Sequence, residues 1–343
     1  MRWREFVAVT CGAALVYVPS SAVWAPDLHI FLVPWLEHIE AAGPIGAFAH
    51  PFSNYSPPYL YLLSLFSLFG LPHIATIKLL AIAGVVWLAW CVSRLAGTLG
   101  SDPLRAAGLT MLLPTVLLNG PVLGQCDTLW AGVGFAFKAQ AAFMAPFCIG
   151  YIIRKRAWAT IAIPPLIYLC AIAPAALAGW PISDLLTIYL RQPQFSFLGD
   201  APNLWAMPEA LHVPGPTVFP FGYALGAAGA VAVVVSSIRS RNPVRVALLS
   251  ALLIPFLLPK MHERFFFQAD ILSLAIAYVR RDRISIAVAV LVQAGSYLSV
   301  VAYLRAWPWL NAAATLPMGA ALMATVYTLS RAREPDPTRR PAT

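Results

Sequence analysis

Charged side chains are scarce in this sequence. Lys, Arg, Asp and Glu together make up 11% of its 343 residues, against about 25% in an ordinary soluble domain, and that shortage excludes a soluble globule. Acids are the scarcer sign, with 14 Asp and Glu against 23 Lys and Arg. Cysteine is sparse as well: Cys11, Cys91, Cys126, Cys148 and Cys170 are odd in number and widely spaced, so neither a disulfide framework nor a thiolate metal site is encoded. There is no internal repeat. Apolar residues make up 60% of the chain, and they recur in runs of about 20, the length of helix that crosses a hydrocarbon core of about 30 Å. Lipid offers backbone groups no partner, so the runs are expected to be helical. The 30 prolines and 21 glycines fit that setting, because both are commoner in transmembrane helices than in soluble ones.

The formal charge of +9 raises the question of a nucleic-acid partner, and the placement of the basic residues answers it. They fall in groups that punctuate the apolar runs: Arg2 with Arg4, Arg94 with Arg105, Arg154 to Arg156, Arg239 with Arg241 and Arg245, Arg280 with Arg281 and Arg283, and Arg331 with Arg333, Arg339 and Arg340. If all of these groups face the cytoplasm, the positive-inside rule gives N-in, C-in topology and an even number of spans. The predicted fold is therefore all-α, a polytopic bundle of about ten spans. They lie near residues 5–24, 74–93, 106–123, 131–153, 157–179, 219–238, 246–259, 266–280, 284–303 and 311–330. The apolar run at 59–71 is too short to span comfortably and reads as an interfacial or re-entrant helix. Residues 1–330 form one transmembrane domain, and 331–343 a disordered cytoplasmic tail. The first 25 residues also carry signal-peptide features. Their apolar core is longer than an h-region and Trp24 suits an interfacial belt, so an uncleaved first span is expected.

Six basic residues escape the sorting: Lys78, Lys138, Arg191, Lys260, Arg264 and Arg305. A charge at membrane depth costs about 2.5–3.5 kcal/mol on insertion scales, so such residues face a cavity or a partner. Lys260-Met261-His262-Glu263-Arg264, followed by three phenylalanines, suits a phosphate at the bilayer surface. Lys and Arg supply charge-assisted hydrogen bonds, and His262 can donate a hydrogen bond or a proton. The plain alternative is a solvated loop with an internal Glu263–Arg264 pair. Gly124-Gln125-Cys126-Asp127 closes the third span, and Lys138 with Gln140 lies in the next apolar run. On one helix Asp127 and Lys138 would share a face about 16 Å apart, too far for a direct pair. Asp27 sits just beyond the first span, in a loop with His29, Trp35 and Asn54-Tyr55. A carboxylate there can act as general base toward a hydroxyl, and Asn and Tyr side chains bind sugars. His29, His38 and His50 lack metal-ligand spacing.

In this order the residues resemble the GT-C superfamily of integral membrane glycosyltransferases, most closely the bacterial relatives of the GPI-anchor mannosyltransferases. The resemblance is carried by Asp27; Trp35 with Gly43; Asn54-Tyr55 with Pro57-Pro58-Tyr59; Gly124-Gln125 with Asp127; Lys138 with Gln140 and Pro146; and Lys260 to Phe265. It implies a metal-optional, inverting transfer of a sugar, often mannose, from a polyprenyl-phosphate donor to a glycan, lipid or protein acceptor on the non-cytoplasmic face of a bacterial inner membrane. It further implies that Asp27 is the catalytic base and that Lys260, His262 and Arg264 hold the donor phosphate. Tyr55, Gln125, Asp127, Lys138, Gln140 and Glu263 would line the cavity. No metal ligands are assigned, a divalent ion being optional, and no nucleic acid is involved. The chain departs from the pattern in one place. Relatives carry a further hydrophobic hairpin between the Gly-Gln-x-Asp and Lys-x-Gln blocks, where only ten residues intervene here. The alternative reading is a transporter or lipid-binding membrane protein using the same cavity without chemistry, or an inactive compact member of the family.

Overall fold

The computed structural model describes residues 3–23, 25–125, 127, 139–189 and 198–331. Among them the regular elements are helices, and the β features reduce to an isolated parallel bridge between Gly199 and Met261. In chain order the α-helices are α1 (Trp3–Ser20), α2 (Val33–Ala42), α3 (Pro57–Ser67), α4 (His73–Thr98), α5 (Pro103–Leu112), α6 (Pro114–Leu117), α7 (Ala145–Lys155), α8 (Ile163–Ala178), α9 (Ile182–Thr187), α10 (Ala206–Ala210), α11 (Gly215–Arg239), α12 (Pro243–Leu257), α13 (Phe267–Arg280), α14 (Arg283–Arg305) and α15 (Pro308–Arg331). Five helical stretches among the described residues are long and apolar enough to cross a bilayer: His73–Thr98, Trp158–Ala178, Gly215–Arg239, Arg283–Arg305 and Pro308–Arg331. Apolar helices of this length and number are those of a multi-pass membrane protein. The tail beyond Arg331, expected to be disordered, lies outside the described residues.

The chain divides into two compact units, one of Met1–Ala142 with Ala159–Phe195 and one of Phe143–Trp158 with Ser196–Thr343. In the first, α5 packs on α1 and α4, and the Tyr17 hydroxyl donates to the Met111 carbonyl at 2.8 Å. The sequence reading takes 106–123 as one span, but the structure breaks it. Helix α5 stops at Leu112, Leu113 is extended, and Pro114 opens α6. A π-turn with Pro121 inside it follows at Leu118–Val122. Proline removes the backbone donor and crowds the preceding turn, which is why the run cannot continue as one helix. Helix α3 has 11 residues, a rise of about 16 Å and so about half a hydrocarbon core. Pro57 and Pro58 sit in its first turn, where a missing N–H costs nothing.

In the second unit α11 approaches α12 through a stripe of glycines. A Cβ at Gly222, Gly226 or Gly229 would lie 2.8 Å from Pro259, 2.3 Å from Leu258 and 2.7 Å from Leu257 respectively. Small residues of this kind let membrane helices pack backbone to backbone. The core behind them includes Leu252, Phe266, Val292 and Met318, all buried.

The turn joining α13 to α14 carries a sharp polar device. Asp282 caps α14, accepting from the Ser285 N–H at 2.9 Å and from its hydroxyl at 2.7 Å, and Arg245 lies 3.8 Å away. The two Ser285 hydrogen bonds, aided by Arg245 and Arg280, hold the Asp282 carboxyl below its ordinary range. A depressed folded-state pKa means stability that is present above the unfolded value and lost as pH falls through the folded one. Asp282→Ala is therefore expected to cost about 1 kcal/mol at neutral pH. In thermal melts of the detergent-solubilised protein, the gap from wild type should shrink as pH drops below about 4. A gap independent of pH would remove the charge from the cap's role.

Candidate functional site

Helix α1 ends at Ser20, and after a short turn Asp27 opens the π-turn Leu28–Leu32 that leads into α2. The partly buried Asp27 carboxylate accepts a hydrogen bond from Gln125 Nε2 at 2.9 Å. Gln125 is 3% exposed, and its backbone N–H is held by the Asn119 carbonyl at 2.8 Å. The residue before it favours glycine: Gly124 has φ +64°, and a Cβ there would lie 2.8 Å from Leu28 Cδ2. The close approach of the two segments and the Asp27–Gln125 bond are thus one construction. It joins two sequence blocks that are far apart in the chain.

Lys78 holds that construction from beneath. It projects from α4, is 3% exposed, and its ammonium donates to the carbonyls of Ser21, Val23 and Val122. The Val23 and Val122 bonds measure 2.7 and 3.2 Å. The charge that escaped the sorting is thus spent on backbone acceptors at the end of α1 and on the approach to Gln125.

The rest of the first loop sorts into structure and surface. Tyr55 stands between aromatic neighbours, with ring centroids 5.0 Å from Trp35 and 5.9 Å from Tyr59. His38 stacks on Phe52 at 4.4 Å, while His29 and His50 are exposed. Glu40 is engaged by His73 at 2.8 Å, with Glu37 at 3.9 Å from the same ring. Asp127 and Gln140 also belong to this unit and are 2% and 8% exposed. The Nε2 of Gln140 has no hydrogen-bond partner among the described residues. Lys138 lies outside the described residues.

Lys260 to Arg264 belongs to the second unit. Helix α12 ends at Leu257, and its last carbonyls are satisfied by side chains: Asn203 donates to Pro255 and Leu258, and Trp205 to Leu257 at 2.8 Å. Such partners are what a helix end requires. Lys260 then takes a left-handed φ of 60°, and its N–H bonds the Leu198 carbonyl at 2.6 Å. Next, Ala201 N–H donates to the Met261 carbonyl at 3.1 Å. Gly199 permits this pairing, because with φ +113° a Cβ would lie 2.2 Å from the Met261 oxygen. Ser299 and Asn311 fasten the same segment through the carbonyls of Asp200 and Ala201.

On this frame Lys260 Nζ lies 4.3 Å from the centroid of the Phe219 ring. Arg264 Nη1 meets Glu263 Oε1 at 2.8 Å, with the Glu263 side chain fully buried. The His262 ring makes an edge contact with Phe265 at 5.2 Å. The pairing of Glu263 with Arg264 weighed in the sequence reading is present, but as a buried pair and not as a solvated one.

No protein-family model matches the chain, and no curated protein does so either.

Two residues that the sequence did not assign to the site now stand out. Asp200 brings its carboxylate within 4.8 Å of ligand atoms of His262 and Glu263. Its signal in the sequence is slight, a Gly-Asp step in a long connection, and its place depends on the backbone pairing of 198–201 with 260–261. Lys78 was visible as a misplaced charge. Its partners were not visible, since they are backbone carbonyls.

Proposed function

We propose that this protein is a GT-C-type membrane glycosyltransferase of about ten spans with both termini in the cytoplasm. It moves a sugar, mannose in the reading the family resemblance favours, from a polyprenyl-phosphate donor to an acceptor on the outer face of a bacterial inner membrane. The observation that carries the reading is the Asp27–Gln125 hydrogen bond of 2.9 Å. It ties together two of the blocks that carry the resemblance and leaves a partly buried carboxylate oriented by a side-chain amide.

In this reaction the acceptor hydroxyl oxygen attacks the anomeric carbon of the donor sugar while Asp27 takes its proton. The bond between that carbon and the phosphate oxygen breaks, and polyprenyl phosphate departs with the electron pair, leaving the product with inverted configuration. Lys260, His262 and Arg264 are the groups we assign to the donor phosphate, where charge builds as the bond breaks. Tyr55, Gln125, Asp127, Lys138, Gln140 and Glu263 are assigned to substrate binding, as the resemblance implies.

The test is direct. Purified protein in proteoliposomes, given radiolabelled polyprenyl-phosphate mannose and a membrane glycan extract, should yield a labelled product with the anomeric configuration inverted. Uptake of sugar or lipid across the vesicle membrane with no glycosidic product would replace the transferase by a transporter. Donor binding with no product from any polyprenyl-phosphate sugar would make the chain an inactive relative.

A further inference from the structure

We propose that Asp200, His262 and Glu263 form a binding site for a manganese-like divalent cation in the second unit. One oxygen from each carboxylate and one imidazole nitrogen all lie within 4.8 Å of one another. Around one ion at about 2.0–2.2 Å, the usual range for these ligands, three such atoms stand about 3–4 Å apart, so the observed spacing is within reach of a shared ion. Two carboxylates and an imidazole make a mixed hard and borderline set, suited to Mn²⁺ more than to a thiolate-seeking ion.

Charge supplies the second argument. Glu263 is fully buried and shares its Oε1 with Arg264 at 2.8 Å. Asp200 brings a second carboxylate to the same few ångströms. Two carboxylates this close, one of them fully buried, are a setting in which a cation is held well. His262 brings an imidazole nitrogen to the same group, the ligand that completes a set of two carboxylates and one nitrogen. The frame is rigid where a ligand set must be: the Gly199–Met261 bridge and the Ser299 bond to the Asp200 carbonyl fix both ligand-bearing segments. Bound beside Arg264, the ion would be the natural partner of a donor phosphate. That use rests on the transferase reading, whereas the binding of the ion does not.

The experiment uses the full chain in detergent, stripped with chelator and titrated with Mn²⁺ under electron paramagnetic resonance. The wild-type protein should deplete the free Mn²⁺ signal saturably and show nitrogen coupling from an imidazole ligand. Asp200→Asn should weaken binding by at least about tenfold with an unchanged thermal melt, and His262→Gln should abolish the nitrogen coupling. An undiminished free signal with wild type overturns the site, as does equal affinity in Asp200→Asn or absent nitrogen coupling. Sugar transfer undiminished in chelator, with no Mn²⁺ bound, would refute the ion and keep the transferase. Mn²⁺ bound as expected with no transfer would do the reverse.

Discussion

Asp27→Asn should reduce sugar transfer by about 10²- to 10⁴-fold, the usual worth of a positioned general base, while the protein melts as wild type does. The two halves of that expectation come from the same geometry. The carboxylate oxygen that Gln125 holds at 2.9 Å becomes an amide oxygen that still accepts the bond, so the link between the end of α1 and the Gly124–Gln125 turn survives. What is lost is the capacity to take a proton. Asparagine is also nearly the same size, so the loss should fall on kcat and leave the donor KM close to its wild-type value. Gln125→Ala provides the contrast. It leaves the base but frees its orientation, and should lower kcat by about tenfold. Full transfer by Asp27→Asn would remove Asp27 from the chemistry and return the search for a base to the other polar residues of the first unit. Loss of folding in that variant would instead make Asp27 a structural residue.

Much of this arrangement is legible in the sequence, and the limits of legibility have physical causes. Helix existence followed from apolar run length, because a lipid environment leaves the backbone little choice. Helix continuity did not: 106–123 reads as apolar throughout, and only the prolines at 114 and 121 mark where α5, α6 and the π-turn separate. Asp27 and Gln125 could be singled out because each is a polar residue in an apolar context. Their direct contact could not, since it depends on Gly124 adopting a left-handed φ that brings its turn against Leu28. Glu37 and Glu40, both on α2, meet His73 at the head of α4, a contact that no local pattern marks. Asp200 was the hardest to find. Nothing in its neighbours on the chain announces chemistry, and its partners lie some sixty residues further along, reached through a backbone bridge that leaves no trace in side-chain pattern.

Lys78→Met should show the largest structural effect. The methionine matches the stem of lysine in length and packs in its place, so the change isolates the ammonium. That group donates to three carbonyls, of Ser21, Val23 and Val122, at a site where the side chain is 3% exposed. Each buried acceptor left without a donor costs about 1–3 kcal/mol. The relief from no longer burying a charge offsets part of that sum, for a net loss of about 2–5 kcal/mol. The melting midpoint of the purified protein should fall accordingly. Transfer should fall with it even at temperatures where the variant is folded, because two of the three carbonyls lead directly into Asp27 and the third into Gln125. This separates the two variants: Asp27→Asn loses chemistry at full stability, whereas Lys78→Met loses stability first and chemistry as a consequence. Lys78→Arg should not rescue either property, since a planar guanidinium cannot converge three carbonyls from different directions onto one nitrogen. If Lys78→Met melts and turns over like wild type, the three carbonyls find water in its place, and the alignment of Asp27 with Gln125 rests on Gly124 and Asn119 alone.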